Sequence, residues 1–392
     1  MHYFRSMMDS QEQVALCALN KIFGYHPRLA MALMEEAGSA LALFDGKWKT
    51  PSLDRASHPE LLARLEPAML DWAAGELARI QERGFRFLGY SDPDYPAPLR
   101  EIPDPPLGLY LNGCTPPTQI FDLHPIVGVV GTRDLSPYGR AWCRKLVEGM
   151  ARARVQPCLV SGMALGADGI AHQTALECGL PTIGVLPTGI DKIYPWQHER
   201  LAMRMVGTPG CGLVTDYPTG TAPVALNFLR RNRIIAALAR AVIVVESKSQ
   251  GGSLMTARYA VEYGRDVYAL PGRADDLRSA GCNSLIHEHM ADIVTTPEDL
   301  VARLGLGAST RKAASGGPNV FADALRRQFG AGSPELAAGL AVQKNRGVTV
   351  EELSAMLHQP FAAAMTAVGT LEAAGFLRMD LLRRCSLAPE WE

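Results

Sequence analysis

Between residues 125 and 272, short apolar runs alternate with helix-length segments, and glycine marks most of the junctions. PIVGVVG (125–131) leads into SPYGRAWCRKLVEGMARA, and QPCLVSG leads into ADGIAHQTALECG. TIGVLPTG, GLVTDY, AVIVVES, the helix LMTARYAVEYG and DVYALPG follow. Runs that are apolar throughout suit strands buried on both faces, as in a parallel sheet covered by helices. The rhythm implies right-handed crossovers and predicts an α/β fold, a Rossmann-like doubly wound parallel sheet. In such sheets ligands sit outside the carboxyl ends of the strands. The unusual residues of this region fall on that edge.

Three strand–glycine–helix junctions stand there. In GTRDLSPYG (131–139), Ser136 and Pro137 have the pattern of an N-cap with proline at the first helical position. Arg133 then lies in the loop before a helix N-terminus, where free N–H groups favour an anion, although an ordinary surface arginine fits the same pattern. In SGMALGADGIAH (161–172), Ser161, Gly162 and Gly166 allow the close turn that cradles phosphates. Asp168 and His172 share a helical face there, and capping of the turn is favoured over acid–base chemistry. In QGGSLMTARYA (250–260), Gly251, Gly252 and Ser253 again offer backbone and hydroxyl donors.

The segment TAPVALNFLRRNRIIAALAR holds four arginines and no acid. If Asn227 to Arg233 open a helix whose IIAALA portion packs on the sheet, Arg230, Arg231, Asn232 and Arg233 project near the edge that carries Arg133. A surface cluster paired with acids elsewhere is the alternative. Several phosphate-sized pockets beside a row of arginines suit a polyanion, and single-stranded nucleic acid is the natural candidate. Phe228 is placed either to stack on a base or to fill core.

Composition constrains the rest. With 392 residues, 47% hydrophobic, 20% charged and net charge -1, the chain is globular and long enough for two or three domains. The absence of a global basic excess says little, because binding follows local fields. Eight cysteines without a CxxC pair argue against zinc, and no metal or cofactor is expected. The start, MHYFRSMMDSQEQ, lacks the apolar stretch of a signal peptide, and no segment reaches membrane-span length, so no membrane association and a cytoplasmic location are expected. Helical spacing predicts a helical domain over 1–85, with Gly24 in a hairpin turn or in generic packing. Prolines in FRFLGYSDPDYPAPLREIPDPPLGLYLNG predict extended segments and turns. The sheet domain covers 86–306, a linker 307–318 and a compact tail 319–392. In the tail GVTVEELSAML and PFAAAMTAVGTLEAAG read as two helices, with FLRM a following strand.

Taken together, GTRDLSPYG, SGMALGADGIAHQTAL, TIGVLPTGIDKIYP, NFLRRNRIIAALA, GGSLMTARYAVEYGRDVYALPG and AGCNSLI resemble, in order and spacing, the DNA-processing protein family known as DprA or Smf. The resemblance is strong over about 86–295. It implies a homodimeric Rossmann-like core that binds single-stranded DNA and shields it, helps displace or bypass single-strand-binding protein, and loads the recombinase RecA during natural transformation. It implies no catalysis. By motif, the contacts fall to Arg133, Ser136, Ser161, Gly162, Gly166, Asn227, Arg230, Arg231, Asn232, Arg233, Gly251, Gly252 and Ser253. It also implies a SAM-like domain at the N-terminal end and a winged helix in the tail. FAAAMTAVGTLEAAG lacks the basic and amide residues that read base edges, so a protein-contact role is favoured for the tail. Leu165 stands where the family usually carries Arg or Lys. The alternative is a nucleotide-binding enzyme of the related phosphoribohydrolase type. Its PGGxGTxxE motif would place a catalytic Glu where this chain has Arg258.

Overall fold

The computed structural model describes residues 2–45, 58–307, 320–345, 347–380, 382–388 and 391. It divides into two compact units, residues 1–310 and 311–392.

In the first unit, α1 (His2–Phe23), α2 (Pro27–Ala37), α3 (Pro59–Leu62) and α4 (Pro67–Glu82) precede the sheet. Gly24 does lie in the turn after α1, where a Cβ would meet the Asn20 carbonyl oxygen at 2.8 Å. These helices share an apolar cluster with sheet residues: Leu16, Leu19 and Leu33 pack with Phe87, Tyr110 and Leu213. The helices expected to form a domain ending at residue 85 therefore belong to the same compact unit as the sheet.

The chain continues through β1 (Arg86–Gly89), α5 (Ala97–Arg100), β2 (Gly108–Asn112), α6 (Pro117–Phe121), β3 (Ile126–Val130), α7 (Pro137–Ala151), β4 (Cys158–Ser161) and α8 (Ala167–Glu177). It then runs through β5 (Thr182–Val185), α9 (Glu199–Val206), β6 (Gly212–Thr215), α10 (Ala225–Leu238), β7 (Ala241–Val244), α11 (Gly252–Glu262), β8 (Asp266–Ala269), α12 (Ala280–His287), β9 (Asp292–Ile293) and α13 (Pro297–Arg303). The nine strands are ordered β1-β2-β6-β5-β4-β3-β7-β8-β9. All pair in parallel from β6 to β9, whereas β1 and β2 extend the β6 edge antiparallel. The Rossmann-like core is thus as expected, with an antiparallel margin that apolar patterning alone does not distinguish.

Alternate residues of β3 serve opposite faces. Val127 and Val129 join Leu146, Ala171 and Leu300 under α7, α8 and α13, while Ile126 and Val130 join Ile234, Ala257 and Leu285 under α10, α11 and α12. One local expectation fails. The proline-rich stretch holds a turn of helix, α5, because proline is harmless in a first turn, whose N–H groups have no intrahelical acceptor. AGCNSLI forms α12.

The second unit contains α14 (Val320–Phe329), α15 (Pro334–Lys344), β10 (Val348–Thr349), α16 (Val350–Met356), α17 (Phe361–Ala373), β11 (Leu377–Met379) and β12 (Arg384–Leu387), the strands ordered β10-β12-β11. Thr349 and Glu352 form a capping box at α16. Phe321, Leu353, Val368, Leu371 and Phe376 fill its core. The expected linker, apart from Gly307, lies outside the described residues.

Candidate nucleic-acid interface

The strands β3 to β6 march outward in one direction, and the chain then returns through α10 to place β7 on the opposite flank of β3. The loops that leave β3 and β7 therefore diverge, which opens a crevice at the topological switch point. That crevice has a volume of about 640 Å3. Gly131 to Asp134 form one lip, Ser247 to Ser253 the other, and Phe228, Arg231 and Asn232 of α10 lie between.

The first lip is held from below. Glu246, buried just past β7, accepts the Ser136 N–H at 2.9 Å and the Ser136 hydroxyl, while its carbonyl accepts the Thr132 N–H at 2.7 Å. Ser136 also accepts the Gly139 N–H and so caps α7. Gly166, at φ +80°, passes under this loop; a Cβ there would fall 2.3 Å from the Thr132 carbonyl oxygen. Arg133 is thereby left on an immobilised loop, exposed, with its guanidinium 5.1 Å over the Phe228 ring. No carboxylate lies within ion-pair distance of it among the described residues. Phe228 is half-buried and is buttressed edge-on by Tyr194 at 5.5 Å.

The floor is Arg231. Its side chain is buried, donates to the Val185 carbonyl at 2.6 Å, and crosses the ends of β4 and β5. Gly162 makes that possible, since a Cβ would lie 2.0 Å from an Arg231 nitrogen. Burial pulls its pKa down to about 10, opposed chiefly by Asp168, so it stays cationic at neutral pH. Beside it, Asn232 donates to the Gly252 carbonyl at 3.2 Å.

The second lip carries Lys248, Ser249 and Gln250, all exposed, followed by Gly251, Gly252 and Ser253. No side chain caps the N-terminus of α11 here. Gly251 is required because a Cβ would meet the Ser247 hydroxyl at 2.2 Å, and that hydroxyl accepts from Ser253 at 2.9 Å.

Of the thirteen residues singled out from the sequence, Arg133, Arg231, Asn232, Gly251, Gly252 and Ser253 line the crevice. The others are placed differently. Arg233 is buried against carboxylates, 2.7 Å from Asp216 and 3.9 Å from Asp104, so it is a core ion pair rather than an edge cation. Arg230 turns to the N-terminal helices, donating to the Gly24 carbonyl at 2.8 Å and lying 4.7 Å over Tyr25. Asn227 is buried, accepting from the Tyr25 hydroxyl at 2.7 Å. Ser161 donates to the Val129 carbonyl, and Ser136 serves Glu246 and the α7 cap. Gly162 and Gly166 act by making room. Lys248 and Gln250, three residues and one residue ahead of Gly251, also line the crevice, but their loop shows no pattern of its own in the sequence.

Acid chemistry is muted in the crevice. Asp134 is bound by Arg278 at 3.1 Å, and Asp168 accepts the Ala164 N–H at 3.2 Å. Burial pushes the Asp168 carboxyl up, and Arg231 counters that. His172 is buried 2.7 Å from the Thr182 hydroxyl, with its pKa pulled to about 3 by burial, so it is neutral. Asp168 thus braces the turn, whereas His172 bonds to β5 through Thr182 rather than to the turn. Arg258 stands on α11 where the phosphoribohydrolase pattern needs its Glu.

The chain is similar to known proteins in both sequence and fold. A family model, DNA recombination-mediator protein A, matches residues 86–305. Protein Smf of Synechocystis sp. is 34% identical over 310 residues, 76% of this chain and 74% of that protein. The X-ray structure of DNA processing protein A from Streptococcus pneumoniae superposes with a TM-score of 0.56 at 32% identity, covering 70% of this chain and 92% of that one. A structure of DNA processing protein A from Helicobacter pylori, described for its single-stranded DNA binding mode, gives 0.50 at 29% identity, covering 56% and 95%.

Proposed function

This chain belongs to the DNA recombination-mediator protein A family, a DNA-processing family, and from that premise we propose that its crevice grips single-stranded DNA. The observation that carries the proposal is the pairing of exposed Arg133 and Lys248 with the uncapped α11 N-terminus across one crevice at the switch point. Phosphates bind the two cations and the amides of Gly252 and Ser253, contacts that follow a backbone without reading sequence. Bases stack on the outer face of the Arg133 guanidinium, which Phe228 and Tyr194 support from behind. Arg231 contributes a fixed positive field from the floor.

Within this reading the protein shields the strand, helps displace single-strand-binding protein, and passes the strand to the recombinase RecA as a homodimer in the cytoplasm. The tail serves as a winged-helix-like module for protein contact, since α17 offers no basic or amide residue. What supports these finer steps is the family's mediator role and the Helicobacter relative's DNA binding.

Fluorescence anisotropy with labelled oligo-dT tests the crevice. Arg133→Ala and Lys248→Ala each weaken binding and flatten the log–log salt slope by about 0.7 for every phosphate no longer neutralised. Their melting temperatures stay at the parental value, because both side chains are exposed. Wild-type affinity in both variants would dispose of the proposal.

A further inference from the structure

A second cleft, of about 570 Å3, shares no lining residue with the first. It opens where the turn between α1 and α2 meets α10 and α11, and its lining includes Tyr25, His26, Arg28, His58, Arg230 and Tyr259. We propose that it binds one phosphate-bearing nucleotide unit, the phosphate on Arg28, Arg230 and the α2 N-terminus, the base against Tyr25 or Tyr259. That the nucleotide belongs to the strand held in the first crevice rests on the function proposed above.

The chemistry of the lining is one-sided. Arg28 is exposed, and Arg230 is anchored to the Gly24 carbonyl and stacked on Tyr25. The 11-residue helix α2 begins at Pro27 with no side chain capping it; Leu29 and Ala30 donate to the His26 carbonyl, which leaves the Arg28 N–H as the free donor of its first turn. The one carboxylate in the lining, Asp104, is already engaged by Tyr263 at 2.8 Å and by Arg233. His26 and His58 lie with ring centroids 4.4 Å apart, and Glu60 stands 3.4 Å from His58. Burial, His58 and Arg230 all lower the His26 pKa, and Glu60 opposes them. Burial alone would penalise a charge of either sign, but the part of that effect due to Arg230 marks positive potential in the cleft, which favours an anion. Tyr25 and Tyr259 add aromatic surface of the kind that receives bases. Arg230 lines this cleft, and Asn232, two residues further along α10, lines the first.

The test uses the full chain with histidine-labelled NMR, titrating thymidine 5′-monophosphate or inorganic phosphate at several pH values. The nucleotide raises the His26 pKa in the wild type, more strongly than phosphate does, and has no such effect in Arg28→Glu or Arg230→Ala. Arg28→Glu alters an exposed residue and keeps the comparison valid if Arg230→Ala melts early. Arg133→Ala leaves the His26 response intact. In anisotropy, Arg28→Glu weakens long oligo-dT more than an oligomer short enough to fill one crevice. No nucleotide-dependent change at His26 or His58 would overturn the proposal, as would an equal response to phosphate and nucleotide. A His26 response in a protein that binds no oligo-dT would uphold this site and defeat the strand-binding reading instead.

Discussion

Replacing Arg233 with methionine separates the tertiary role of this arginine from the binding role its neighbours suggest. The side chain is 3% exposed and its partner Asp216 is 4% exposed. Arg233 donates to Asp216 Oδ2 at 2.7 Å and to the Asp104 carbonyl at 2.6 Å, tying α10 to the segment after β6 and to the loop before β2. Asp216 Oδ1 has no hydrogen-bond partner among the described residues, so the guanidinium is what compensates that carboxylate. Methionine keeps the apolar stem but strands the buried charge, which costs about 3–5 kcal/mol. At roughly 2–4 °C per kcal/mol, the transition of the first unit falls by about 10 °C. Urea unfolding followed by circular dichroism reads the change as a lower midpoint with an unaltered slope. Adding Asp216→Asn removes the orphaned charge and recovers most of the loss, a coupling that a double-mutant cycle measures. A loss below about 1 kcal/mol, or a double variant no more stable than Arg233→Met alone, would refute the reasoning, since the penalty is that of an uncompensated buried charge.

Two further outcomes follow from the same packing. Ser136→Ala removes the α7 cap and one donor to buried Glu246, lowering stability by about 1 kcal/mol while oligo-dT affinity of the folded protein stays put; an affinity loss without destabilisation would return Ser136 to the interface. His172 refuses a proton in the folded state, with its pKa moved from 6.5 to about 3. The unfolded chain takes that proton first as pH falls, so the contribution is whole above pH 6.5 and shrinks on acidification toward about pH 3. The slope of that loss is at most about 1.4 kcal/mol per pH unit. His172→Gln reduces the acid sensitivity of unfolding in that window, and an identical pH profile for the variant would count against burial as the cause.

The legible part of this protein was the part written in local patterns. Apolar runs such as PIVGVVG and AVIVVES, separated by glycine and helical spacing, state the strand order along the chain and the doubly wound class without any long-range information. The N-cap at Ser136 and the glycines at 162, 166 and 251 were visible for the same reason, since turn geometry depends on residues near in sequence. The division of labour along Arg230, Arg231, Asn232 and Arg233 was not. On a helix, successive side chains point about 100° apart, so four neighbours face four surroundings. What those surroundings hold comes from far away: the Gly24 carbonyl for Arg230, the Val185 carbonyl for Arg231, Gly252 for Asn232, Asp104 and Asp216 for Arg233. Charge in a sequence is a count, whereas its function depends on which carboxylates the fold brings within a few ångströms. Only the packing of α10 against the sheet decided that two of these arginines line clefts and the third is tied up in a buried ion pair.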